Sequence, residues 1–356
     1  MRKYNKVLSD YLQNNTEIRQ ENSVSFEIKP IPDPEKTEGM DPRMLEAAKR
    51  KMKKLQSNFS AETFQLYEER NRTDKISYDL TSVSIMKKQQ LVKINKHYIN
   101  TFLYRPRHLE DKIPVILYVH GGAFMTGDHT QFENQCKLLA EKAEALVVFP
   151  EYRLAPENPF PAGLEDIFGV LNWIFEQSEK LQINQKKIVL AGDSAGASIM
   201  NGCALLDKNK RIRLMFEIYP CCDIDVIGNG VYQWKPSYYH IPVEEQEYVY
   251  SRMDRLKNIS KGMTEFYLEG ESGKNPLVSI IYEKDISLLP PVIIAVGEYD
   301  YFRMTADIFA RQCSAAGKLR KAIRYQGCDH GFFDMLGIMP QAEDCIVEVA
   351  KAVREI

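Results

Sequence analysis

A chain of 356 residues that is 44% hydrophobic and 27% charged has the composition of a soluble globular protein, long enough for one large α/β domain with an added lid or for two modest domains. Its formal net charge of −2 gives no reason to expect nucleic acid as a partner, and no stretch approaches the roughly 18 apolar residues that span a bilayer. The start lacks an apolar signal core and carries Asp10, Glu17 and Glu21, while seven cysteines without metal-type spacing point to free thiols in a reducing cytoplasm.

Residues 1–83 stand apart from the rest. The stretch 31–39 is a polar, proline-containing linker, and Asp41-Pro42 reads as an N-cap followed by proline in the first helical turn. Leu45, Ala48, Met52 and Leu55 then recur at helical spacing, leaving Lys49, Arg50, Lys51, Lys53 and Lys54 as a solvated basic face.

From residue 84 the chain alternates. Apolar runs predict strands at 92–104, 115–119, 145–149, 187–191, 214–219, 292–296 and 322–325. Helices are predicted at 134–143, 163–177, 195–206 and 304–316. This βαβα order calls for an α/β fold, a mainly parallel sheet with helices on both faces. Between 219 and 292 lie roughly seventy residues, too many for a structureless loop. They contain Tyr232, Trp234, Tyr238, Tyr239, Tyr248, Tyr250, Phe266 and Tyr267, and helices are expected around 243–254 and 262–269.

Three separated motifs carry chemistry. Gly192-Asp193-Ser194-Ala195-Gly196 fits Gly-x-Ser-x-Gly between a strand and a helix, the setting of a nucleophile elbow. His120-Gly121-Gly122-Ala123-Phe124 follows a strand and offers amides that can approach an oxyanion. Asp329-His330-Gly331-Phe332 follows the last strand, on the sheet edge where ligands bind in open α/β folds.

Ser194 is a weak nucleophile without a general base. His330 fills that role best, because it comes after the serine in the order serine–acid–histidine. His120 reads as a structural residue of its loop, and His97, His108, His129 and His240 have no motif around them. Asp300 is the preferred acid, since its loop leaves the strand 292–296 at the same edge. Glu298 is the rival. Asp329 reads as a turn carboxylate and Asp193 as a brace for the elbow.

These residues resemble the hormone-sensitive-lipase-like branch of the α/β-hydrolases, a family of carboxylesterases, over roughly residues 84–350. The stretch Tyr152-Arg153-Leu154-Ala155-Pro156-Glu157 with Phe160-Pro161-Ala162 adds to the likeness, as do Ile218-Tyr219-Pro220 and Asn275-Pro276-Leu277. The resemblance implies the α/β-hydrolase fold with a helical cap, built from segment 1–83 and an insertion at about 224–274 of a catalytic domain 84–356. It implies Ser194, Asp300 and His330 as the triad and Gly121, Gly122 and Ala195 as the oxyanion hole. It further implies a small-molecule ester substrate, with no cofactor and no metal. Ala123 and Ala197 stand where the family usually has glycine, and neither is expected to donate to the oxyanion. The competing readings are an amidase or deacetylase with the same triad, and a non-catalytic ligand-binding protein on this scaffold. A homodimer contact is the alternative use of the aromatic insertion.

Overall fold

Runs such as Ile113–Val119 and Val292–Gly297 are almost wholly buried, which is how strands read when helices cover both faces of a sheet. The computed structural model describes residues 1–33, 35–57, 66–71, 76–109, 112–224 and 235–356. Among these, ten strands form one sheet: β1 (Glu17–Glu21), β2 (Val24–Lys29), β3 (Ile85–Ile94), β4 (His97–Pro106), β5 (Ile113–Val119), β6 (Leu146–Pro150), β7 (Ile183–Asp193), β8 (Ile212–Ile218), β9 (Val292–Gly297) and β10 (Leu319–Tyr325). Their order is β1-β2-β10-β9-β8-β7-β5-β6-β4-β3. Pairing is parallel from β2 to β6 and antiparallel at both margins.

The helices are α1 (Val7–Asn14), α2 (Pro42–Ser57), α3 (Leu66–Arg70), α4 (His129–Ala143), α5 (Ala162–Glu176), α6 (Ser178–Leu181), α7 (Ala195–Leu206), α8 (Gln246–Gly262), α9 (Arg303–Ala315) and α10 (Pro340–Arg354). The chain steps one way from β5 to β6 and the other way from β6 to β7 and β8. Right-handed crossovers therefore set α4 on one face and α5 and α7 on the other. α10 packs on α4, and α5 packs on α7.

Several elements differ from the sequence expectation. The strand expected at 92–104 is the hairpin β3–β4, turned at Asn95-Lys96, with Asn95 in the left-handed region at φ +52°. Asparagine tolerates that conformation, and two residues are too few to break an apolar–polar alternation. Segment 1–83 is not one unit. Val24, Phe26 and Ile28 alternate toward the core, so β2 pairs with β10 and extends the sheet. α1 packs on α10, whereas α2 packs on α8. α2 begins where expected, with the Asp41 carboxylate accepting from Arg43 N at 2.9 Å. The two helices expected in the insertion are continuous: α8 runs directly into a π-helical turn, Met263–Leu268. Tyr232 and Trp234, and the side chains of Lys53, Lys54 and Leu55, lie outside the described residues. Among the described residues no helix is long and apolar enough to cross a membrane.

Candidate active site

The turn between β7 and α7 is a single residue. Ser194 sits there at φ +51°, ψ −119°, a conformation that costs on the order of 1–3 kcal/mol and persists only when its surroundings enforce it. They do so from two sides. Ser194 N donates to Ile218 O of β8 at 2.9 Å. On the other side the elbow lies so close to β5 that a Cβ on Gly196 would come within 2.1 Å of Val119 O. The glycines of the motif thus let two backbones touch.

Loops from the ends of β9 and β10 bring two more side chains to the serine. His330 Nε2 lies 2.9 Å from Ser194 Oγ, and His330 Nδ1 lies 2.8 Å from Asp300 Oδ2. Asp300 is fully buried, and its other oxygen accepts from Phe302 N at 2.7 Å, which fixes the carboxylate plane. Burial alone would lower the His330 pKa. The charge and hydrogen bond of Asp300 outweigh it, with help from Asp329 and Asp334, and hold the imidazole above its ordinary value.

The other carboxylates considered from sequence face elsewhere. Glu298 accepts from Gly327 N at 3.0 Å, and burial pushes its pKa up. Asp329 is paired with Arg252 of α8. Asp193 Oδ1 accepts from Tyr118 Oη at 2.8 Å and from Gly121 N at 2.9 Å. His97 and His129 bind Asp166 and Glu151. His120 is buried, stacked on Tyr152 at 4.4 Å, inside the loop that follows β5.

That Asp193 contact corrects the expected set of oxyanion donors. The Gly121 N–H is already spent on a carboxylate, so it does not point at the serine. Among the described residues, no acceptor is paired with the N–H of Gly122 or Ala123, and both residues line the cavity beside Ser194. Ala123, not expected from the sequence to donate, thus presents an uncommitted amide beside the cavity where Gly121 does not. It adopts φ +56°, the left-handed conformation that a third glycine would take without strain. Gly122 has φ +126°, and a Cβ there would lie 2.1 Å from Thr126 O. The Ala195 N–H opens α7, where a helix leaves its first amides unpaired.

Motifs did not reveal what supports this loop. Tyr152 Oη donates to His120 O at 2.9 Å, and Ala155 N donates to Phe124 O at 3.0 Å, so the Tyr152–Pro156 stretch buttresses it. Arg70 of α3 donates to Met125 O at 2.8 Å and Ala155 O at 2.9 Å. Tyr267, from the π-helical turn, stacks flat on Phe124 at 3.8 Å.

Ser194 opens into a cavity of about 550 Å³. Met44 and Ala48 of α2 and Leu256, Ile259 and Met263 from α8 and its π turn give it an apolar roof. Glu46, Arg50, Glu69 and Arg255 also line it.

The alpha/beta hydrolase fold profile matches residues 116–334. The chain is 28% identical over 268 residues to Esterase LipI of Mycobacterium tuberculosis, covering 72% of this chain and 78% of that protein. It is 26% identical over 270 residues to an ethyl acetate hydrolase of Pseudomonas putida, covering 73% and 79%. The solved structure of a hyperthermophilic esterase from the archaeon Pyrobaculum calidifontis superposes with a TM-score of 0.73 at 23% identity, over 89% of this chain and 98% of that one. The chain belongs to the alpha/beta hydrolase fold family, in the hormone-sensitive-lipase-like branch that its motifs resemble.

Proposed function

We propose that the protein is a serine carboxylesterase that cleaves short-chain acyl esters through an acyl-enzyme on Ser194. The observation that carries this reading is the unbroken relay Ser194–His330–Asp300, which opens on a cavity lined by Gly122 and Ala123; with Ala195 at the start of α7, these residues supply the amides for the oxyanion. Ser194 Oγ attacks the ester carbonyl carbon while its proton passes to His330 Nε2. Asp300 stabilises the imidazolium, and the three amides bind the oxyanion. The C–O bond to the alcohol then breaks, and His330 returns the proton to that leaving oxygen. Water, deprotonated by His330, attacks the acyl-enzyme, releases the carboxylic acid and restores Ser194.

The ester preference is supported by relatives named as esterases and as an ethyl acetate hydrolase. We also read α2 together with α8 and its π turn as the cap, since both line the cavity roof. A reducing compartment such as the cytoplasm is supported by seven cysteines that are all buried free thiols. The test is covalent labelling by a fluorophosphonate probe alongside hydrolysis of p-nitrophenyl butyrate. Both should be present in the natural protein and absent in S194A. Full hydrolysis by purified S194A sinks the assignment.

A further inference from the structure

α8 crosses the cavity and sends Arg252 down to the turn that carries the histidine. Arg252 Nε donates to Asp329 Oδ2 at 2.5 Å, and Nη2 donates to His330 O at 3.2 Å and to Asp329 Oδ1 at 3.4 Å. Asp329 is buried and Arg252 is partly buried, with side chains 2% and 11% exposed. Taking two charges out of water is costly, and breaking such a pair costs more. None of these bonds involves Ser194 or Asp300.

The imidazole is surrounded from several elements. Asp300 faces Nδ1 from the β9–α9 loop, and Ser194 faces Nε2 from the elbow. The rings of Tyr219 and Phe302 lie 4.7 and 5.3 Å away. Asp329 and Asp334 add negative charge from its own loop. Arg252 supplies the positive charge from α8, and the next arginine on that helix, Arg255, is paired with Glu69.

We propose that Arg252 is a positioning residue for the hydrolytic reaction: from the cap helix it holds the His330 turn in place and keeps the Asp329 carboxylate ion-paired beside the imidazole. The proposal rests on His330 being the general base. Its consequence is that the cap is coupled to the catalytic histidine, and a displaced α8 would loosen the base as well as uncover the cavity.

The test measures kcat, KM and the pH profile of kcat/KM for R252M, R252K, D329N and the double variant R252M/D329N of the full chain. The substrate is p-nitrophenyl butyrate. In R252M the Asp329 charge is unscreened, so the acidic limb moves to higher pH, by roughly half a unit or more, and kcat falls at least about tenfold. In D329N a guanidinium remains without its carboxylate, so the limb moves to lower pH. The double variant returns the limb close to its original place while kcat stays low, because the bond to the His330 carbonyl is still missing. R252K keeps the charge and the limb, with an intermediate kcat. A folded R252M whose limb is unmoved overturns the proposal, as does a double variant whose limb stays as far displaced as that of either single variant. If R252M does not fold, a D329N limb that stays in place overturns it. Fluorophosphonate labelling separates the two readings: an unlabelled natural protein sinks the triad, whereas a labelled protein with immobile limbs sinks only the role of Arg252.

Discussion

The Gly121 N–H donates to the Asp193 carboxylate, and this bond holds the loop that presents Gly122 and Ala123 to Ser194. Tyr118 Oη donates to the same oxygen, so one buried carboxylate ties β5, its following loop and the elbow together. D193A leaves two buried donors without an acceptor, at about 1–3 kcal/mol each. We expect a clear fall in the midpoint of thermal unfolding and a loss of kcat larger than the change in KM. D193N retains an oxygen that can accept from both donors and should keep most of the activity. Equal kcat in D193A and the natural protein would show that the loop stands without this brace.

His330 is held above the ordinary imidazole pKa of 6.5, chiefly by Asp300 once burial is overcome. As the proposed base it must be neutral, so the acidic limb of kcat/KM should lie above that value in the natural enzyme. D300N removes the charge and favours the wrong tautomer. It should move the limb to lower pH and reduce the rate by roughly 10⁴-fold. E298Q should have a much smaller effect, because Glu298 binds Gly327 N. The opposite ranking would transfer the role to Glu298.

Acyl-chain preference should follow the cavity roof. Ala48 is buried and lines the cavity from α2, so A48F fills space that an acyl chain would occupy. Relative rates on p-nitrophenyl acetate, butyrate and octanoate should shift toward acetate in A48F. M263A, on the π turn, should shift them toward octanoate. Unchanged profiles in both would remove α2 and the π turn from the acyl pocket. Deleting the chain up to about residue 75 is a poorer test, because it also removes β2 from the sheet.

Glu217 on β8 is fully buried, and desolvation raises its pKa to about 8, although the hydrogen bond from Asn201 works in the other direction. Among the described residues its Oε1 has no hydrogen-bond partner, as expected where the charged carboxylate is poorly solvated. The raised folded value means that the native state binds the proton more tightly than the unfolded chain does. The associated stability is fully present below the unfolded pKa near 4.5 and is lost as pH rises through about 8. E217Q should flatten that slope and raise stability at alkaline pH by on the order of a few kcal/mol. Denaturant unfolding from pH 5 to 9 measures this. A natural protein equally stable at both ends would contradict it.

That Ser194, Asp300 and His330 meet was legible because each lies in or beside a short local pattern at the end of an apolar strand, and the sheet brings those ends together. The choice between Gly121 and Ala123 was not legible. It depends on a carboxylate that folds back beneath the loop from another strand, and neighbouring residues in the chain carry no trace of that bond. Arg252 was invisible for a similar reason, since α8 matches no motif and its partner is remote in sequence. β2 could have been read from the alternation Val24, Phe26, Ile28. The hairpin β3–β4 was merged because Asn95-Lys96 interrupts the pattern too briefly.

The pairing of β2 with β10 also dictates an order of events during synthesis. Phe26 lies beside Ala322, so β2 finds its partner only after all the intervening chain has been made. Until then Val24, Phe26 and Ile28 form an apolar edge with nothing to cover it, and such edges recruit other chains. Arg2 and Tyr4 bind Glu343 of α10, so they too wait for a segment that follows β10. The turn bearing His330 follows β10 directly. A nascent chain therefore gains His330 in the same interval in which β2 finds its partner, and a chain interrupted before β10 has the elbow without the histidine that faces it.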